Sequence, residues 1–173
     1  MNFPDILEYN PAYQKYINLV DKDNFFKQFD EITNETIAFF RSINEEKLNY
    51  AYEKNKWTIK EVLMHIIDTE RGFSYRAIVC LRQDNKTPLH GMDEDFYAKN
   101  VKVTERNIDN MLEEFVAVRK GFRFLFENCS EEQSQFLGNG IEYKISARAL
   151  GFISIGHTKH HINIIKERYL LNT

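Results

Sequence analysis

Glycine and proline are scarce in this 173-residue chain, at 7 and 3 residues. An all-β design places both in its tight turns, so the shortage argues for long helices. Cysteine is scarcer still: Cys80 and Cys129 are too few for a disulfide framework, and Cys80, inside an apolar run, reads as a small buried hydrophobe. No charge of one sign dominates. A formal net charge of −3 gives no electrostatic reason to expect nucleic acid or an anionic membrane as partner. No apolar stretch approaches the ~20 residues needed to span a bilayer. The first five residues lack the basic-then-apolar pattern of a signal peptide, so the expected location is cytoplasmic.

What is present is an ordinary globular composition, 43% hydrophobic and 28% charged, rich in Phe (14) and Tyr (9). The length suits one domain, residues 1–173, with a core of its own. Asn10 before Pro11 marks a helix start. Phe25, Phe29, Ile32, Thr36 and Phe39 recur at spacings of three and four, predicting a first long helix over 22–43 capped by Asp21. Thr58 and Glu61 form a capping box that opens a second long helix running to about residue 82. Residues 83–103, with Pro88, Gly91 and the acidic group Asp93, Glu94 and Asp95, read as a long connection, a length more typical of functional lids than of spacers. A third long helix is expected over 104–128. A second capping box at Ser130 and Gln133 opens a short one, and a turn spans 138–145. Ser146 caps a last helix ending near Leu171. The expected fold is all-α, a four-helix bundle with a long connection between the second and third long helices.

Three of the five histidines lie within residues 156–163, in the order Gly-His-Thr-Lys-His-His-Ile-Asn. On a helix, His157 and His161 stand one turn apart on one face, offset by about 40°, and can share a divalent metal. His160 is rotated away and fits a rim role. His65, on the second long helix, can meet the pair because bundles build metal sites from facing helices. Three histidines without a fourth protein ligand describe an open site, suited to Zn²⁺ or Ni²⁺, that activates water or a low-molecular-weight thiol. Asp68, one turn beyond His65, is the candidate to accept a proton there, or else a carboxylate facing solvent. His65, Asp68, Thr69, Gly72 and Arg76 form a polar stripe that either faces solvent or lines a pocket. Glu61, Thr69, Arg76 and His160 are the candidate residues around the ligands. His90 reads as an exposed loop residue.

The run Lys56-Trp57-Thr58-Ile59-Lys60-Glu61, with His65, Asp68 and Glu70 in register, resembles the second-helix motif of DinB-like proteins. Tyr75-Arg76-Ala77, residues 91–95, the 156–163 stretch and Glu167-Arg168-Tyr169-Leu170 extend the resemblance over most of the chain. It implies a four-helix bundle, often a homodimer, with a divalent metal on His65, His157 and His161. It also implies a metal-dependent hydrolase or a thiol-dependent transferase acting on a small molecule. The alternative is a non-catalytic bundle whose metal is structural or sensory, or a stress-related dimeric interaction module.

Overall fold

The computed structural model describes residues 1–170, and the expected helix end at Leu171 lies outside them. Asp5 caps a 3₁₀ turn, Ile6–Glu8, and Asn10 caps a second, Pro11–Tyr13, which runs into the short helix α1, Gln14–Ile17. The four long helices are α2 (Phe25–Ser42), α4 (Ile59–Leu81), α6 (Ile108–Glu127) and α8 (Ala147–Ile164). Between them lie α3 (Glu45–Leu48), α5 (Glu94–Asn100) and α7 (Glu131–Gln135), with a hairpin of β1 (Leu137–Asn139) and β2 (Lys144–Ser146) before α8. Helix α4 packs against α6 and α8, and α2 closes the bundle against the same two. Among the described residues no helix is long and apolar enough to cross a membrane.

Local chemistry explains where the boundaries differ from the sequence expectations. Helix α2 starts at Phe25 rather than near residue 22 because Gln28 gathers the preceding turn. Its amide donates to the carbonyls of Asp21 and Asp23 and its carbonyl accepts from the Asp21 N–H. Asn24 then takes a left-handed conformation, φ 58°, that asparagine tolerates. Helix α6 begins at Ile108, where Asn107 accepts from the N–H groups of Asp109 and Asn110. The long connection is not structureless: Asp93 caps α5, whose first turn carries Glu94 and Asp95 and whose last carries Lys99, matching the helix dipole. The last helix does not stay α-helical, since Ile165–Leu170 winds as a π-helix.

Two clusters of buried side chains fill the bundle, one around Phe25, Phe29, Phe122 and Phe152, the other around Phe40, Leu63, Phe115 and Ile165. A buried polar node crosses the core. Arg119 of α6 donates to the Glu70 carboxylate of α4 at 2.7 Å, to Ser154 of α8 at 2.8 Å and to the Phe29 carbonyl of α2. Its guanidinium also lies over the Phe29 ring at 3.6 Å. Breaking such a node leaves a buried charge unpaired, costing about 3–5 kcal/mol, so it fixes how the four helices register. Cys80 is fully buried and its thiol is pushed up to about 11 by that burial, which makes it inert.

Candidate metal centre

The capping box that starts α4 is formed: Thr58 accepts from the Glu61 N–H at 3.2 Å and Glu61 accepts from the Thr58 N–H at 2.7 Å. That start sets His65 nearly two turns into the helix, its ring 4.8 Å from the Trp57 ring. Tyr169, in the π-helical segment, donates to the Trp57 carbonyl at 2.7 Å and pins the approach to α4. On the facing helix, Gly156 brings α8 against the backbone of Tyr16. A Cβ there would stand 2.0 Å from the Tyr16 carbonyl oxygen, so only glycine permits the approach. The Tyr16 ring consequently rests edge-on against both His157 and His160, at 5.2 Å each.

These supports bring three imidazoles together. His157 Nε2 lies 3.1 Å from His65 Nε2 and 3.1 Å from His161 Nε2, and all three ligand atoms fall within 4.8 Å of one another. A neutral imidazole nitrogen carries one hydrogen or one lone pair. His157 Nε2 can therefore make a full hydrogen bond with only one of its two neighbours, or share its single hydrogen or lone pair between both, and either way one contact is poorly satisfied. A single cation receiving three lone pairs removes the conflict. With metal–nitrogen bonds of about 2.0–2.1 Å, adjacent ligand nitrogens are separated by roughly 3.0–3.4 Å, so the two 3.1 Å contacts fit. The residues fit a divalent metal.

Electrostatics points the same way. Burial pushes His65 down to about 4 and His161 down to about 2, the latter also opposed by the charges of His65 and His160. Burial, then His161 and His65, hold His157 well below its ordinary value. Three imidazoles kept neutral are three imidazoles ready to ligate.

The other candidate residues sit at different depths. His160 is half-buried at the rim, its ring 5.3 Å from that of His161. Glu61 is committed to its cap. Asp68 shares a small pocket with His65, but its hydrogen bond is to Arg71, 3.2 Å away, which also reaches Glu114 of α6 at 2.6 Å. Burial raises the Asp68 carboxyl above its ordinary value against the pull of Arg71. Thr69 and Gly72 are half-buried and Arg76 is buried, and with Tyr13, Tyr16 and His157 they line an open-mouthed cavity of about 160 Å³. A second cavity of about 330 Å³ opens beside His161, lined by Tyr52, Trp57 and Arg168. His90 is exposed, as expected, and its carbonyl accepts from Arg76 at 2.6 Å.

One residue was not singled out from the sequence. Glu94, at the first turn of α5, places a carboxylate oxygen 4.0 Å from His65 Nε2 and lines both the 160 Å³ cavity and the pocket of Asp68. The available signal was Asp93 as a helix cap followed by two acids, a pattern that reads equally well as a polar loop.

The chain is 22% identical over 156 residues to a protein of Oceanobacillus iheyensis provisionally named a metal-dependent hydrolase, covering 87% of this chain and 86% of that one. The solved structure of YfiT from Bacillus subtilis, provisionally described as a metal-dependent hydrolase with an unusual four-helix bundle topology, shares the fold. Its TM-score is 0.72 at 17% identity, covering 94% of this chain and 92% of that one. The model of the DinB superfamily matches residues 28–165. The chain belongs to the DinB superfamily.

Proposed function

We propose that the protein is a metal-dependent enzyme acting on a small electrophilic substrate, with His65, His157 and His161 as the metal ligands. The observation that carries this reading is the convergence of three imidazoles, two buried and one half-buried, whose two 3.1 Å nitrogen contacts suit shared ligation of one cation. When bound, a Zn²⁺ or Ni²⁺ ion at such a site supplies a Lewis acid that lowers the pKa of water or a thiol in its open position to ~7 or below. The chain's own carboxylates do the remaining proton work. Asp68, with its carboxyl raised by burial, is assigned as the proton acceptor, held in orientation by Arg71. Glu94, nearer to His65 Nε2, is the second carboxylate able to take that role. The Trp57 and Tyr16 rings flank the ligands and limit the approach of bulk water.

Hydrolysis needs room for one substrate and water, whereas thiol transfer needs room for two. Two cavities reach the ligands, one lined by His157 and the larger by His161, and this favours the thiol-dependent variant of the reaction. The test is metal analysis of untagged protein, followed by turnover of ester, amide and alkylating substrates with and without added thiols. About one equivalent of a transition metal is expected. His157→Ala is expected to weaken its binding by more than the ~100-fold that loss of an outer-shell partner alone can cause. No uptake of any divalent transition metal by the folded protein would refute the reading.

A further inference from the structure

The core holds three buried arginines, and two of them are neutralised. Arg119 pairs with Glu70 at 2.7 Å, and Arg148 pairs with Glu8 and, at 2.7 Å, with Glu131. The third, Arg76, is 8% exposed, and among the described residues no carboxylate pairs with it. Among the described residues its one hydrogen-bond partner is the His90 carbonyl, which holds the guanidinium by one nitrogen and leaves the rest of the fork uncommitted. A guanidinium in a low-dielectric site without a counter-charge is costly, and elsewhere in this core the chain provides a carboxylate. Arg76 lines the 160 Å³ cavity, and His157 lines it too. Thr69, one turn from His65 on the same helix, lines that cavity too, and its Oγ1 is buried with no hydrogen-bond partner. Gly72 lies between them on the stripe, and a Cβ added there meets nothing within 4 Å. The cavity is open where a side chain would otherwise fill it.

We infer that this cavity is a carboxylate-binding subsite. Arg76 receives a monoanionic carboxylate of the substrate and holds the rest of that small molecule against the His157 edge of the metal centre. The inference rests on the reading of the three histidines as a metal site. A carboxylate is favoured over a phosphate by charge and size. The only cationic residue in the wall is Arg76, and Glu94 also lines the cavity, so a dianion is under-compensated whereas one carboxylate matches one planar fork. At about 160 Å³ the space holds a few carbon atoms beyond the carboxylate and excludes a drug-sized ligand.

The experiment is calorimetric titration of the metal-loaded protein with propionate, and separately with inorganic phosphate, in parallel with a metal assay of each sample. Arg76→Gln is expected to weaken propionate binding roughly 10- to 100-fold, the effect of removing a charge-assisted hydrogen bond, and Arg76→Lys is expected to recover part of it. Should Arg76→Gln not fold, Gly72→Leu serves instead: it fills the open space, leaves Arg76 in place and is expected to abolish propionate binding. Propionate binding that is absent in the wild type, or equal in wild type, Arg76→Gln and Gly72→Leu, overturns the inference and leaves the metal reading standing. Phosphate bound more tightly than propionate, with the same dependence on Arg76, overturns the carboxylate assignment. Arg76-dependent propionate binding by protein that takes up no metal supports the subsite and overturns the metal reading alone.

Discussion

Acid is predicted to loosen the metal-free fold through the three histidines themselves. In the unfolded chain an imidazole titrates near 6.5, whereas burial holds His65 at about 4 and His161 at about 2 in the native state. Between those values the unfolded state binds more protons, so stability rises with pH. The contribution is complete above about pH 6.5 and is lost as pH falls toward the folded values. Each such histidine costs about 1.4 kcal/mol per pH unit below 6.5, or about 2 kcal/mol at pH 5. His65 and His161 together then remove about 4 kcal/mol from a total stability of order 5–15 kcal/mol, and His157 shifts in the same direction. For a chain of this size that is a fall in Tm of roughly 8–16 °C. The assay is thermal melting of chelator-treated protein at about pH 7.5 and 5, against a His65→Asn, His161→Asn double variant that lacks both titrations. If wild type and double variant lose the same stability over that interval, the histidines are not held neutral by burial and the argument fails. Metal-loaded protein should melt higher than metal-free at pH 7.5, and this gain should shrink as protons compete for the same nitrogens.

Two further substitutions test the packing that positions the centre. Gly156→Ala places a methyl 2.0 Å from the Tyr16 carbonyl oxygen, a backbone atom that no rotamer change can move. It should destabilise by about 3 kcal/mol, the upper range for overpacking, in urea denaturation. Gly72→Ala meets nothing within 4 Å and removes a glycine from a helix interior, so it should stabilise by about 0.5–1 kcal/mol in the same experiment.

Much of this arrangement was legible in the sequence because it depends on local chemistry. The boxes at Thr58 and Ser130 satisfy backbone donors within four residues, so their outcome owes little to the rest of the chain. The i, i+4 spacing of His157 and His161 is a property of one helix, and His65 follows from bundle architecture with the family resemblance beside it. Helix α5 reads as loop in the sequence because seven residues show too little of a 3.6-residue period, and the polar group that starts it suits a turn equally well. The Gly156 contact with Tyr16 and the Arg119 node depend on partners 35 to 140 residues away. No local pattern announces them.

The polar stripe on α4 shows how the two kinds of information combine. Sequence periodicity placed His65, Asp68, Thr69, Gly72 and Arg76 on one face but could not tell a solvated face from a cavity wall, because both are polar. The tertiary fold decides it: Gly91, Met92 and Glu94 join that face in lining the cavity, and the His90 carbonyl holds the buried Arg76. A solvent-facing arginine needs no counter-ion, whereas a buried one does, and the described residues supply counter-ions to Arg119 and Arg148 but none to Arg76. Glycine at position 72 would be a small defect in a surface helix, yet beside Arg76 and His157 it is what keeps the space open. The residues that local propensity explains least are therefore those that line the cavity beside the proposed metal centre.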